Sequence, residues 1–253
     1  MCNTEFDIEC TGLTRVFGKR TALNDINIKA RSGTVLALVG SNGAGKTTLL
    51  KILATLLLPS SGRALVCGED VTGNHLRIKT LIGFVASEER SFYWRLTGRR
   101  NLEFFAALHG IHGTRSAQRI DWLLDTVGIG EYGDIRFREY STGMKQALGI
   151  VRGMLHDPRV LLMDEPTRSL SPDMAKRACD FIRRQATEDG KTVLFASHNL
   201  SEVERIADEV AILHRGTIRA AGSVAELARK AGLPDGSGME SIFDHFTGKD
   251  IAP

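Results

Sequence analysis

The stretch Thr34-Val35-Leu36-Ala37-Leu38-Val39-Gly40-Ser41-Asn42-Gly43-Ala44-Gly45-Lys46-Thr47 decides the fold. Its opening half runs apolar without alternation, as a strand buried on both faces does. The glycine-rich half fits the GxxxxGK[ST] spacing of a P-loop, and it stands after a strand and before a helix, where such a loop works. Glycines permit a tight turn whose successive N–H groups point at phosphate oxygens, and the following helix adds the positive end of its dipole. Apolar residues at helical spacing continue from 46 to 58 until Pro59 stops them, so a helix is predicted over 46–58. Gly40, Ser41, Asn42, Gly43, Ala44, Gly45, Lys46, Thr47 and Thr48 are therefore candidate phosphate-binding residues. Lys46 supplies charge to the β- and γ-phosphates, and the Thr47 hydroxyl is placed to ligate Mg²⁺. A glycine turn followed by an exposed lysine is the bland alternative, and the context on both sides tells against it.

Outward from the loop, Ile26, Ile28 and Ala30 alternate with Asn27, Lys29 and Arg31, which suits a strand with one wet face. Further buried strands are expected at 81–85, 160–163, 193–196 and 210–213. Strands alternating with helices predict an α/β protein with a mostly parallel sheet. Between about 97 and 157 strand patterns vanish, while 101–109, 116–127 and 144–155 show helical periodicity. This middle reads as a helical insertion into the α/β core. A glycine-rich stretch at 232–238 sets off a short last helix around 239–246.

A second charged element is Val160-Leu161-Leu162-Met163-Asp164-Glu165. Four apolar residues ending in two acids describe a buried strand whose carboxyl edge presents charge to a ligand crevice. Asp164 would hold Mg²⁺ as a Walker B aspartate does. Glu165, one step further, can polarise an attacking water as general base. Taken alone, such acids are more often a solvated strand end; beside the P-loop the functional reading wins.

Composition sets limits on this reading. With 42% hydrophobic and 25% charged residues in 253, the chain is not a disordered one. Lys and Arg number 33 against 30 Asp and Glu, a net charge of +3, so no nucleic-acid partner is expected. No apolar run approaches a membrane span, and Met1-Cys2-Asn3-Thr4-Glu5 lacks a signal-peptide pattern. Cys2, Cys10, Cys67 and Cys179 show no CxxC pairing and no metal spacing, which suits reduced thiols in the cytoplasm.

The order of motifs carries a resemblance. Tyr140-Ser141-Thr142-Gly143-Met144-Lys145-Gln146, between the P-loop and the acidic strand, resembles the signature motif of ABC-type ATPases, Leu-Ser-Gly-Gly-Gln. Ser197-His198 closes a strand as the switch histidine of that family does. The tail Met239-Glu240-Ser241-Ile242-Phe243 is similar to that of ATPase subunits of ABC-2-type exporters. Together the motifs span residues from about 5 to 248. The resemblance implies a P-loop NTPase (RecA-like) core with an antiparallel β subdomain and an inserted helical subdomain. On that scheme the core takes 1–87 and 158–222, the helical part 88–157 and a short tail 223–253.

It also implies roles. Two chains, identical or not, would sandwich two MgATP, with Ser141, Thr142 and Gly143 of one meeting the γ-phosphate held by the other. Read without the family, Ser141 is a good N-cap. Lys46, Glu165 and His198 would be the catalytic set, and Phe17 would stack on adenine. The chain would power export through a separate polytopic membrane permease, from the inner face of the cell membrane. A non-transport ATPase acting on ribosomes or nucleic acid is the rival; such proteins usually carry two cassettes or a coiled-coil insertion, and this sequence shows neither.

Two departures stand out. The family's glutamine, a Mg²⁺ ligand, should follow Ile82-Gly83-Phe84-Val85, where this chain reads Ala86-Ser87-Glu88-Glu89-Arg90. Counting from the left gives Ser87; counting back from Leu96-Thr97 gives Glu88, favoured because its oxygen can ligate Mg²⁺. Ser171 stands where an aspartate normally couples the two sites. The segment Arg90-Ser91-Phe92-Tyr93-Trp94-Arg95 joins cations and aromatics as an interface hot spot does, and the resemblance points it at the membrane subunits.

Overall fold

The computed structural model describes residues 5–87 and 91–248. Two long strands open the chain, β1 (Phe6–Phe17) and β2 (Arg20–Arg31), followed by β3 (Val35–Val39) and, after the glycine loop, helix α1 (Lys46–Leu53). Next come β4 (Ser61–Val66), β5 (Glu69–Asp70), α2 (His75–Leu81) and β6 (Ile82–Val85). Three helices form the middle: α3 (Gly98–Leu108), α4 (Gly113–Val127) and α5 (Thr142–Met154). The chain then alternates through β7 (Val160–Asp164), α6 (Pro172–Thr187), β8 (Thr192–Ser197), α7 (Leu200–Ile206) and β9 (Glu209–His214). It ends with β10 (Thr217–Gly222), α8 (Val224–Lys230) and α9 (Met239–Thr247).

One sheet runs in the order β10-β9-β3-β8-β7-β6, parallel from β9 to β6 with β10 antiparallel at the edge. The other, β2-β1-β4-β5, is antiparallel. Strand β3 shows why the parallel sheet sits in the middle of the molecule. Val35, Ala37 and Val39 enter one hydrophobic core with the helices of the middle segment. Leu36 and Leu38 enter a second core with α1 and the antiparallel sheet. Both faces are covered, so the strand is apolar throughout, as the unbroken run in the sequence requires. In β2 the alternation holds from Ile26 to Ala30, and a left-handed residue at Asp25 (φ 52°) resets the phase so that Leu23 is buried as well.

Helix α1 is shorter than the sequence predicts. It stops at Leu53, because Thr55 adopts the left-handed conformation (φ 59°) and Leu56 N–H returns to the Lys51 carbonyl. The chain turns there towards β4, which leaves Leu56 and Leu58 exposed rather than on a helix face. The strand-free middle is as expected; its β contact is an isolated bridge between Thr97 and Arg136. Cys10 and Cys179 are buried free thiols, pushed up by burial to about 12 and about 11, so neither is a nucleophile near neutral pH.

Asp7 ties the two sheets together. Its carboxylate, on β1, accepts from Arg159 Nε at 2.9 Å and from Thr192 Oγ1 at 2.6 Å, at the starts of β7 and β8. Its carbonyl accepts from Cys67 N–H at 2.7 Å. Asp7→Ala removes the buried carboxylate that the Arg159 guanidinium and the Thr192 hydroxyl share, with an expected loss of about 2–3 kcal/mol. A thermal unfolding midpoint equal to that of the parent chain would show that the two sheets do not depend on this contact.

A second tie is a stacked imidazole pair. His109, at the end of α3, lies flat on His156, beyond α5, with centroids 3.9 Å apart and planes within 2°. The His156 Nε2 bonds the Ile82 carbonyl at 2.9 Å. Burial, reinforced by His109, pushes the His156 imidazole from 6.5 down to about 4. The fold thus favours the neutral ring, so the unfolded chain takes up the proton first. Stability should fall by about 3 kcal/mol as pH drops from 6.5 towards 4. His156→Gln should flatten that slope in denaturant titrations; an equal slope in both chains would assign the pH dependence to other groups.

Candidate functional site

The loop at 40–47 is fixed by contacts that only glycine allows. A Cβ at Gly40 would lie 2.3 Å from the Leu213 carbonyl, and one at Gly45 (φ 115°) would lie 2.7 Å from the Ala22 carbonyl. The backbone is pressed between β9 and β2, and Gly216 N–H donates to the Ala44 carbonyl at 2.9 Å. Inside the loop Lys46 is buried, with Nζ donating to the Gly40 carbonyl at 2.5 Å and to that of Ser41 at 3.4 Å. Helix α1 starts at Lys46 with no side-chain cap, leaving its first N–H groups to a ligand.

Parallel order brings the acidic strand alongside. Asp164 ends β7 and accepts from Thr47 Oγ1 at 2.8 Å. Glu165, the next residue, adopts a left-handed conformation (φ 51°) that turns its side chain across the sheet edge. Its Oε1 lies 3.6 Å from Lys46 Nζ, and its Oε2 lies 2.7 Å from His198 Nδ1. The Glu165 N–H donates to Ala196 on β8 at 2.9 Å, which fixes the turn. Lys46, Glu165 and His198, predicted from three separate motifs, therefore form one chain of contacts.

These groups line an open cavity of about 380 Å³. Phe17, residues 41–48, Asp164, Glu165 and His198 all face it, together with Ser87. Gly40 lies behind the loop and serves it through its carbonyl. Phe17 is 44% exposed and has the Arg15 guanidinium 4.4 Å from its ring centroid, so an aromatic surface is present where the sequence places one. Of the two readings of the Mg²⁺ slot, Ser87 lines the cavity, while Glu88 lies outside the described residues.

Ser141, Thr142 and Gly143 are not in the cavity. They form the start of α5, where Ser141 Oγ accepts from Met144 N–H at 3.2 Å as an N-cap. A Cβ on Gly143 would lie 2.8 Å from the Ser169 carbonyl, so this turn packs on the loop that follows Glu165. Thr142 begins the helix with an exposed side chain, so replacing a glycine there costs the turn nothing. The aromatic segment divides: Phe92 is 3% exposed and packs on Phe105 and Phe137, whereas Tyr93 and Trp94 are exposed. The expectation that all three face a partner is corrected for Phe92, which the helical core needs.

Sequence reasoning missed Arg20 and Arg168, both of which line the cavity. Neither belongs to a spaced motif. The available clue for Arg168 was its position, three residues beyond Glu165.

A glycine loop closed on a lysine, a threonine and a strand-end aspartate, at the carboxyl edge of a parallel sheet, defines a P-loop nucleoside-triphosphatase. The sequence pattern of the ABC transporter family matches residues 23–168. The bacitracin transport ATP-binding protein BcrA of Enterococcus faecalis is 34% identical over 226 residues, 89% of this chain and 72% of that protein. A solved ATP-binding subunit of an ABC transporter superposes with TM-score 0.87 at 25% identity, covering 94% of this chain and 98% of that one. A dimeric ATP-binding cassette in a post-hydrolysis state, bound to ADP and Pi, shares the fold with TM-score 0.80 at 21% identity, over 86% of this chain and 98% of that one. The chain belongs to the ABC transporter family, as an ATP-binding, ATP-hydrolysing subunit.

His198 is the open end of the contact chain, since its ring is more than half exposed. His198→Ala should lower turnover on the order of a hundredfold, as loss of one positioned donor does, while nucleotide affinity changes little. A steady-state rate equal to the parent's would remove His198 from the site.

Proposed function

We propose that this subunit binds MgATP in the cavity, pairs with a second ATPase chain around two nucleotides, and drives export through a separate membrane permease. The observation that carries the reading is a split site. Lys46, Thr47, Asp164, Glu165 and His198 converge on one cavity, while Ser141 and Gly143 lie outside it on the same chain. Those donors reach a phosphate only if another molecule brings them, and the dimeric cassette that shares this fold supports such pairing.

The oxygen set fits Mg²⁺. Thr47 Oγ1 and Asp164 Oδ2 are hard donors 2.8 Å apart, and no group of three or more His, Cys, Asp or Glu is poised for a metal among the described residues. Mg²⁺ characteristically takes one or two protein oxygens, several waters and the substrate's phosphates. When bound it would neutralise charge on the β- and γ-oxygens. The chain's own groups do the rest. Amides of residues 41–48 and the Lys46 ammonium hold the phosphates, Phe17 offers a face to the base, and Glu165 orients the attacking water and takes its proton. The contact from Glu165 to His198 orients that carboxylate, and His198 lines the same cavity in which the terminal phosphate would lie.

Among the described residues no helix is long and apolar enough to cross a membrane; the permease is proposed as a separate chain because the relatives are ATP-binding subunits of transporters. The exposed Tyr93 and Trp94, with a neighbouring groove of about 270 Å³ lined by Leu56, Phe84 and Phe105, supply an apolar docking face. Trp94 is 63% exposed, with Lys145 Nζ 5.4 Å from its ring. Docking there would hold the subunit on the cytoplasmic face of the membrane, and the permease would choose the cargo.

Glu165→Gln should bind MgATP, stop turnover and accumulate a dimer on size exclusion; a chain that remains monomeric with MgATP would sink the split-site reading. Tagged protein drawn from native membranes should bring a polytopic protein with it, and Tyr93→Ala with Trp94→Ala should lose it while keeping ATPase activity. Recovery of ribosomes or nucleic acid in its place would overturn the transport role.

A further inference from the structure

Arg168 and Arg20 both line the cavity. Arg168 stands in the loop after β7, and Arg20 opens β2 with its Nη2 3.7 Å from where a Cβ on Gly43 would be. Among the described residues neither guanidinium has a hydrogen-bond or ion-pair partner. Elsewhere in the molecule Arg159 is held by Asp7, Arg183 by Asp208 and Arg205 by Asp180.

The charges explain why the cavity needs them. Its described lining holds two carboxylates, Asp164 and Glu165, and three cations, Lys46, Arg20 and Arg168. Lys46 is already committed, to the Gly40 carbonyl and to Glu165. Without the arginines a triphosphate would approach two acids and one occupied ammonium. The arginines reverse the balance, and their planar forks suit phosphate oxygens.

We propose that Arg168 is a ligand of the terminal phosphate, supplied by the same chain that holds the nucleotide, and that Arg20 serves the part common to ATP and ADP. This rests on the nucleotide reading above. The loop that carries Arg168 is held from several sides. Its own N–H donates to the Glu165 carbonyl at 3.2 Å, Leu170 N–H to that of Thr167 at 3.0 Å, and Thr167 Oγ1 to the Glu202 carboxylate at 2.6 Å. The loop thus brings Arg168 into the cavity lining three residues beyond Glu165, whose carboxylate meets Lys46 and His198 at the end assigned to the γ-phosphate. Arg20 starts beside Gly43 and Phe17, on the base side. A cation at the γ end stabilises charge that develops there in phosphoryl transfer.

The test is equilibrium binding of ADP and of the β,γ-imido analogue of ATP to the soluble subunit at fixed Mg²⁺, paired with steady-state turnover. Arg168→Ala should weaken the imido analogue about tenfold and leave ADP within about twofold, the loss of one charged hydrogen bond on one phosphate. It should lower kcat more than it raises KM, and Arg168→Lys should restore part of both. Arg20→Ala should weaken both nucleotides alike. Both side chains are exposed, so unfolding midpoints without nucleotide should match the parent's. An unchanged ratio of the two affinities in Arg168→Ala would overturn the assignment. If the parent chain binds neither nucleotide, the cavity reading beneath it fails as well.

Discussion

Lys46 carries a full charge with 6% of its surface open to water, and that burial orders everything around it. An ammonium out of water must find oxygen, and the Gly40 and Ser41 carbonyls provide it only because the loop curls back on itself. The curl needs glycine where the backbone presses on Leu213 and Ala22. It also needs β9, β3, β8 and β7 side by side, so that Glu165 arrives opposite as counter-charge. The parallel order is thus the scaffold for one buried cation. The nucleotide adds its own negative charge to a place already arranged for it.

What the sequence disclosed follows from how local each cause is. The P-loop, the buried runs at β3, β7 and β8, and the acids at 164 and 165 show in spacing alone, because strand burial and backbone geometry dictate residue type position by position. The end of α1 was not legible, since Leu56, Leu57 and Leu58 continue an apolar pattern while Thr55 breaks the helix through its backbone. Phe92 looked like its exposed neighbours Tyr93 and Trp94; its burial is decided by Phe105 and Phe137, which are remote in sequence. Arg20 and Arg168 gave no pattern because a surface arginine is unremarkable until topology aims two of them into the same cavity. Ser141 satisfied its N-cap reading within this chain, and the phosphate role the motif implies needs a neighbour.

Two halves of the molecule meet at the cavity wall. Phe84 lines the apolar groove and Ser87 lines the phosphate cavity, with only two residues between them. Gln146 on α5 reaches the Ala86 carbonyl at 3.4 Å, so the helix capped by Ser141 also touches this short link. A partner seated on the groove, as proposed above, and a ligand in the cavity would both touch the short segment from Phe84 to Ser87.

Glu165 shows how the chain values reach over comfort. Its left-handed backbone is one that side chains with a Cβ avoid, at a cost of about 1 kcal/mol. Glycine or asparagine would sit there more easily, yet neither spans from the Lys46 ammonium to the His198 ring. The position is one where a search for stabilising substitutions would find gains and destroy the contact chain, so backbone ease and that chain pull this single residue in opposite directions.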